Sequence, residues 1–134
     1  MKILDLLFEG ADSKHTFVDM FKKFLPLAMK VLELDSLPQF SFHASINTGD
    51  QPSFGAYRPE DKTMYIALEN RHPVDILRTI AHELVHFKQD LMDHLNPDSG
   101  DTGSPEENQA HELAGIIMRH FNKQHPEFLK SRPI

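Results

Sequence analysis

The chain contains no cysteine and no tryptophan. Without cysteine there can be no disulfide framework, no thiolate metal ligand and no cysteine nucleophile, and the composition suits a reducing compartment. Basic clusters are missing as well. Lys22-Lys23 is the only adjacent basic pair and the net charge is −6, so nothing resembles a phosphate-tracking stripe and nucleic acid is not an expected partner. No apolar run approaches the roughly 20 residues of a membrane span. Residues 1–14, MKILDLLFEGADSK, interrupt their short apolar run at Asp5 and carry no small-residue cleavage site, so a signal peptide is not expected either. These absences point to a soluble cytoplasmic protein with no membrane partner.

What is present is ordinary for a globular domain: 40% hydrophobic and 25% charged residues, enough chain for one real core and one domain over residues 1–134. Ten phenylalanines suggest a Phe-rich interior. Residues 14–34 place Phe17, Phe21, Phe24, Ala28 and Val31 at three- and four-residue steps, an apolar helical stripe that Pro26 should kink or divide. Phe40, Phe42, Ala44 and Ile46 alternate with Ser41, His43 and Ser45, the pattern of a half-buried strand. Residues 47–53, NTGDQPS, read as a turn. Residues 54–68 read as a hairpin around RPEDK, with Met64, Ile66 and Leu68 on one face and Tyr65 and Ala67 on the other. A helix is expected from Pro73 to about Leu95, then a connector, NPDSGDTGS, whose Asp98 and Asp101 lack calcium-loop spacing. A last helix runs from Pro105 to about Asn122, with KQHPEFLKSRPI as a docked or frayed tail. The predicted class is α+β: an N-terminal helix, a three-stranded antiparallel sheet and two further helices.

The chemistry gathers on the last two helices. At 100° per residue, His82 and His86 stand about 40° apart on one face, away from the stripe of Leu77, Ile80, Leu84, Phe87, Leu91 and Leu95. Imidazoles at i and i+4 can share one ion, as tetrahedral zinc requires. Glu83 lies off their line, placed to flank the ion and accept a proton from activated water. This is the H-E-x-x-H arrangement, His82-Glu83-Leu84-Val85-His86. Nine histidines in the chain make a chance match possible, so a third ligand matters. Gln89 and Met92 stand where the extended motif with a third histidine would need glycine and histidine.

The remaining candidate is Glu107, which shares a face of the last helix with His111, Ala114 and Met118; Ala110 and Ala114 are small enough to let the helices approach closely. Ser104-Pro105-Glu106-Glu107 is also a capping box, so Glu107 either caps its own helix or faces the histidines; the upstream motif favours the second role. His111, one turn on, is read first as a group orienting a ligand histidine. It could also stabilise an oxyanion, replace Glu107 as third ligand, or merely line a helix contact.

HELVH followed by a helix bearing Glu107-Asn108-Gln109-Ala110 resembles the gluzincin metallopeptidases, and the compact size resembles their minimal members. The resemblance implies zinc held by His82, His86 and Glu107, with Glu83 as general base. The polar residue one turn after the ligand glutamate is commonly aspartate in that family; here it is His111. The resemblance also implies that an edge strand before the motif, here Met64 to Leu68, binds extended substrate backbone, which unpaired N–H and C=O groups permit. It covers residues 54–121. The stretches RHPVDILRTIAHELVHFKQD and GDTGSPEENQAHELAG are in addition similar to small H-E-x-x-H proteins of tailed phages, which would place the chain in a host cytoplasm.

The sequence therefore predicts a zinc-dependent hydrolase of peptide bonds, acting on a peptide or protein, with Glu83 catalytic and Tyr57, Tyr65 or His111 as the oxyanion donor. The alternative is a catalytically silent zinc-binding or partner-regulating module on the same fold; an intact Glu83 argues against it. A DNA-associated protease is a third reading, disfavoured by the acidic, cysteine-free composition.

Overall fold

The computed structural model describes residues 11–48, 51–96, 99 and 101–134. Residues 1–10 and Asp98, touched on above, lie outside that set. The described chain is α+β. It comprises α1 (Ala11–Leu32), β1 (Gln39–His43), β2 (Ile46–Thr48), β3 (Gln51–Ser53), β4 (Gly55–Arg58), β5 (Thr63–Ala67), α2 (Pro73–Leu91) and α3 (Pro105–Gln124), followed by a 3-10 turn over Pro126–Lys130.

α1 is continuous through Pro26 rather than divided there. The ring removes the hydrogen bond that its own nitrogen would have donated and crowds the carbonyl four residues back, but the buried stripe of Phe17, Met20, Phe24, Ala28 and Leu32 holds both halves against one core. Phe21 meets Phe40 and Phe42 edge-on at 5.2 and 5.9 Å between ring centroids, so the apolar side of β1 faces α1 as its alternation predicts. On the opposite side Ser41 Oγ and the His43 ring nitrogen Nε2 are hydrogen-bonded at 2.7 Å.

The main sheet has the order β1-β5-β4 and is mixed, a correction to the antiparallel sheet expected. β1 and β5 are parallel, with Phe40 beside Met64 and Phe42 beside Ile66; β4 and β5 form the expected antiparallel hairpin. Alternating apolar residues report which face a strand buries but not the direction of its partner. The segment 46–53 is not a plain turn: it contributes a second, antiparallel hairpin of β2 and β3. Because β5 is central, Met64–Leu68 cannot be the exposed edge. The edges of this sheet are β1 and β4, and β4 is the one that passes over Glu83 on α2.

α2 starts where Pro73 suggests, with the His72 side chain accepting from Val74 N–H at 3.0 Å. It ends at Leu91 rather than Leu95. Asp93 takes a left-handed conformation, φ 58°, and the N–H groups of Asp93 and His94 bond back to Asp90 and Gln89 carbonyls, closing the helix with a Schellman pattern in which aspartate replaces the usual glycine. The buried faces of α2 and α3 meet through Ala110 and Ala114, 0% and 3% exposed. These small residues bring the helices close enough for side chains on α2 to reach those on α3.

Arg71 ties the layers together. It is buried, and its guanidinium donates to the carbonyls of Phe54, Ala67 and Asp75 and to the Thr79 hydroxyl. One cation thereby fixes the start of β4, the end of β5 and the first turns of α2. Burial lowers its pKa from the ordinary value, against the opposing field of Asp75.

Candidate metal centre

Ser104 caps α3, its Oγ accepting from Glu107 N–H at 3.0 Å. The reciprocal half of a capping box is not formed, because the Ser104 N–H is taken by the Asp101 carbonyl. The backbone of Glu107 is therefore satisfied while its carboxylate is left for another task. That carboxylate points across to α2: Oε1 contacts His82 Nε2, Oε2 lies 3.5 Å from His86 Nε2, and Oε1 lies 3.4 Å from His111 Nε2. The ring centroids of His82 and His86 are 5.1 Å apart, and those of His82 and His111 4.6 Å. The structure thus brings together His82, His86, Glu107 and His111, four residues singled out in the sequence.

Within this group, donor atoms of His82, Glu107 and His111 all lie within 4.8 Å of one another. His86 reaches the second carboxylate oxygen from the other side. The two outer histidines differ in environment. His86 is 7% exposed and its Nδ1 meets Gln89 Oε1 at 2.8 Å. An amide oxygen can only accept, so Nδ1 carries a proton, and the tautomer this bond selects for a neutral ring has its lone pair on Nε2, the atom facing Glu107. The His111 side chain is 71% exposed, with Glu107 Oε1 3.4 Å from its Nε2.

Gln89 was not signalled by the sequence as a site residue. It is 2% exposed, and its amide group donates to the Glu106 carbonyl at 3.0 Å and to Gln109 Oε1 at 2.8 Å. It therefore locks His86 and pins α2 to the first turn of α3 at once. Its place three residues after His86, on the same side of the helix, is the only trace it leaves in the sequence.

The electrostatics suit a cation. Burial, reinforced by His86 and His111, lowers the His82 pKa below its ordinary value in spite of Glu107, keeping the ring neutral as a metal ligand must be. Glu83 is buried. Desolvation, then the charge of Glu107, raises its carboxyl from 4.5 to about 8, near neutrality where a general base is most effective. A His82 ring kept neutral by burial, the Glu107 carboxylate against it and the His86 and His111 nitrogens within reach of that carboxylate are a donor set that could hold a divalent ion of the zinc type.

These groups open onto a cleft of about 360 Å³ lined by Ser53, Phe54 and Gly55 from the β3–β4 region, by Arg78, Thr79, His82 and Glu83 from α2, and by His111, Ala114 and Gly115 from α3. Gly55 is required here. A Cβ on it would sit 2.5 Å from Thr79 Cγ2 and 3.5 Å from Glu83 Cγ, and Thr79 is held by Arg71, so only glycine lets β4 pass over Glu83.

Neither tyrosine proposed as an oxyanion donor lines the cleft. Tyr57 donates to Asp90 Oδ2 at 2.6 Å and packs edge-on against Phe87; burial and Asp90 raise its pKa well above the ordinary value, leaving the hydroxyl proton engaged in structure. Tyr65 lies on the far face of the sheet, stacked on His43 and bonded to Arg58. Of the three candidates only His111 stands at the site. No family model, curated protein or solved structure matches the chain.

Proposed function

We propose that the chain is a small zinc-dependent hydrolase of peptide bonds, of the gluzincin type. One observation carries the reading: Glu107, freed from capping its own helix, meets His82 and His86 from the facing helix beside a buried glutamate. His82, His86 and Glu107 would hold the metal, and His111 flanks it. When bound, zinc supplies the Lewis acidity that makes water nucleophilic near neutral pH. Glu83 takes the proton of the attacking water and delivers it to the leaving amine. His111, exposed in the cleft, is placed to donate to the developing oxyanion.

The outer edge of β4, where the Gly55 carbonyl already accepts from Ser53 Oγ at 2.9 Å, would serve as a platform for extended substrate backbone. Ala67 N–H bonds to the Phe54 carbonyl, so by antiparallel alternation Ala56 and Arg58 pair inward with β5 while Gly55 and Tyr57 direct their backbone groups outward. An added strand on that edge would run past Glu83.

A second ligand set, with His111 in place of His86, is favoured by the tighter grouping of its donor atoms. His86→Ala and His111→Ala separate the two: loss of zinc only in the first supports the set preferred here. The activity itself is tested by metal analysis and by Glu83→Gln. About one equivalent of zinc in both proteins, with peptide cleavage abolished in the variant, is the expected result. Full biological function in Glu83→Gln would instead mark a silent zinc-binding module.

A further inference from the structure

One end of the cleft carries cations that the proposed chemistry does not use. Arg78, one turn before His82, lines the cleft; it is exposed and, among the described residues, makes no hydrogen bond or ion pair. On the facing wall α3 presents Gly115, and Arg119 Nη1 stands 3.7 Å from the position a Cβ on Gly115 would take. Arg119 is likewise exposed, and its side chain makes no hydrogen bond or ion pair among the described residues. Gln89 meets Glu106 at one end of the helix pair and His82 meets His111 further along, so α2 and α3 run antiparallel, and Arg78 and Arg119 belong to the same end, away from Gln89. Beside them the Phe54 ring is 67% exposed, with the Arg71 guanidinium 4.4 Å from its centroid.

Arg78 in the cleft wall and Arg119 beside the cleft residue Gly115, neither with a side-chain partner among the described residues, are not the by-product of a basic surface in a chain with net charge −6. A guanidinium is a planar fork of donors that matches a carboxylate. Glu83, the one carboxyl group among the described residues lining the cleft, is assigned to proton transfer, and Glu107 faces the histidines.

We infer that this end of the cleft is a carboxylate-recognition subsite: Arg78, supported by Arg119, binds a carboxylate on the substrate while a neighbouring apolar side chain rests on Phe54. The inference rests on the peptidase reading for the term substrate. An aspartate or glutamate side chain and a free peptide C-terminus present the same group.

The test uses zinc-supplemented Glu83→Gln protein, so that peptides bind without being cut. The ligands are acetyl-Ala-Phe-Glu and acetyl-Ala-Phe-Gln, each as free acid and as C-terminal amide, titrated by calorimetry. A terminal-carboxylate subsite favours each free acid over its amide about tenfold, and a side-chain subsite favours Glu over Gln by the same factor, the scale of one added charged pair in a partly enclosed cleft. Either preference should fall to near one in Arg78→Gln, survive in part in Arg78→Lys, and shrink as salt is raised. Equal binding of all four peptides, no binding of any, or a preference unchanged by Arg78→Gln would overturn the inference. Zinc content and cleavage by wild-type protein are read separately. Cleavage without carboxylate preference removes the subsite and leaves the peptidase; preference without zinc or cleavage does the reverse.

Discussion

Replacing Glu83 by glutamine should stabilise the metal-free protein, and by an amount that grows with pH. The carboxyl is raised from 4.5 to about 8 by burial and by Glu107. Between those values the folded chain keeps a proton that the unfolded chain has released. The folded state therefore binds more protons, and stability falls as pH rises through that window, levelling off above pH 8. Each pKa unit corresponds to about 1.4 kcal/mol, so the full elevation sets a ceiling of about 5 kcal/mol. Water entering the cleft and side-chain relaxation bring the expected difference to about 2–4 kcal/mol, still a large share of a typical 5–15 kcal/mol total. Glutamine keeps the shape and cannot ionise. His82, whose pKa is lowered, acts oppositely: its neutral folded form makes stability rise with pH up to its unfolded value near 6.5. Both proteins share that contribution, and it cancels in their difference. Urea unfolding in the presence of chelator at pH 5, 6.5 and 8.5 measures the effect. The two proteins should be nearly equal at the lowest pH and Glu83→Gln clearly more stable at the highest. A variant no more stable than wild type at pH 8.5 would refute the claim that Glu83 is held in a desolvating site. Added zinc should shrink the gap, because a nearby cation favours the carboxylate.

Three further outcomes follow from the same geometry. Gln89→Leu removes the acceptor that fixes His86, and zinc affinity should fall about 10–100-fold in a competition assay, while Gln89→Glu, which keeps an acceptor, restores part of it. Gly55→Ala should destabilise the protein by about 1–3 kcal/mol in urea unfolding and lower kcat, since the added methyl meets Thr79 and presses towards Glu83. Tyr57→Phe should lower stability by about 1 kcal/mol through the lost bond to Asp90 and leave kcat within a small factor of wild type; a drop of a hundredfold or more would return Tyr57 to the catalytic group.

The parts of the fold legible in the sequence were those set by local pattern. The stripes of α1 and α2, the Pro73 and Ser104 helix starts and the hairpin around residues 59–62 each have their cause within a few residues. The histidine pair and Glu107 were legible too, because helical spacing fixes which side chains share a face. What the sequence hid was set at long range or by unusual residues. The parallel partnership of β1 with β5 joins strands separated by three others along the chain, and nothing in the alternation of Phe40 and Phe42 encodes it. Asp93 ends α2 in a conformation more often given to glycine. Gln89, Arg71 and Gly55 act through neighbours that only the folded chain supplies. Tyr57 looked available because a phenol in a strand gives no sign that Asp90, 33 residues on, will hold it.

The most direct measurement is a zinc-loaded crystal structure with anomalous diffraction recorded at the zinc absorption edge. One strong peak is expected, bounded by His82 Nε2, His86 Nε2 and the Glu107 carboxylate, with Glu83 alongside and outside bonding distance. A peak bound by other residues, or no peak between α2 and α3 at saturating zinc, would contradict this ligand set.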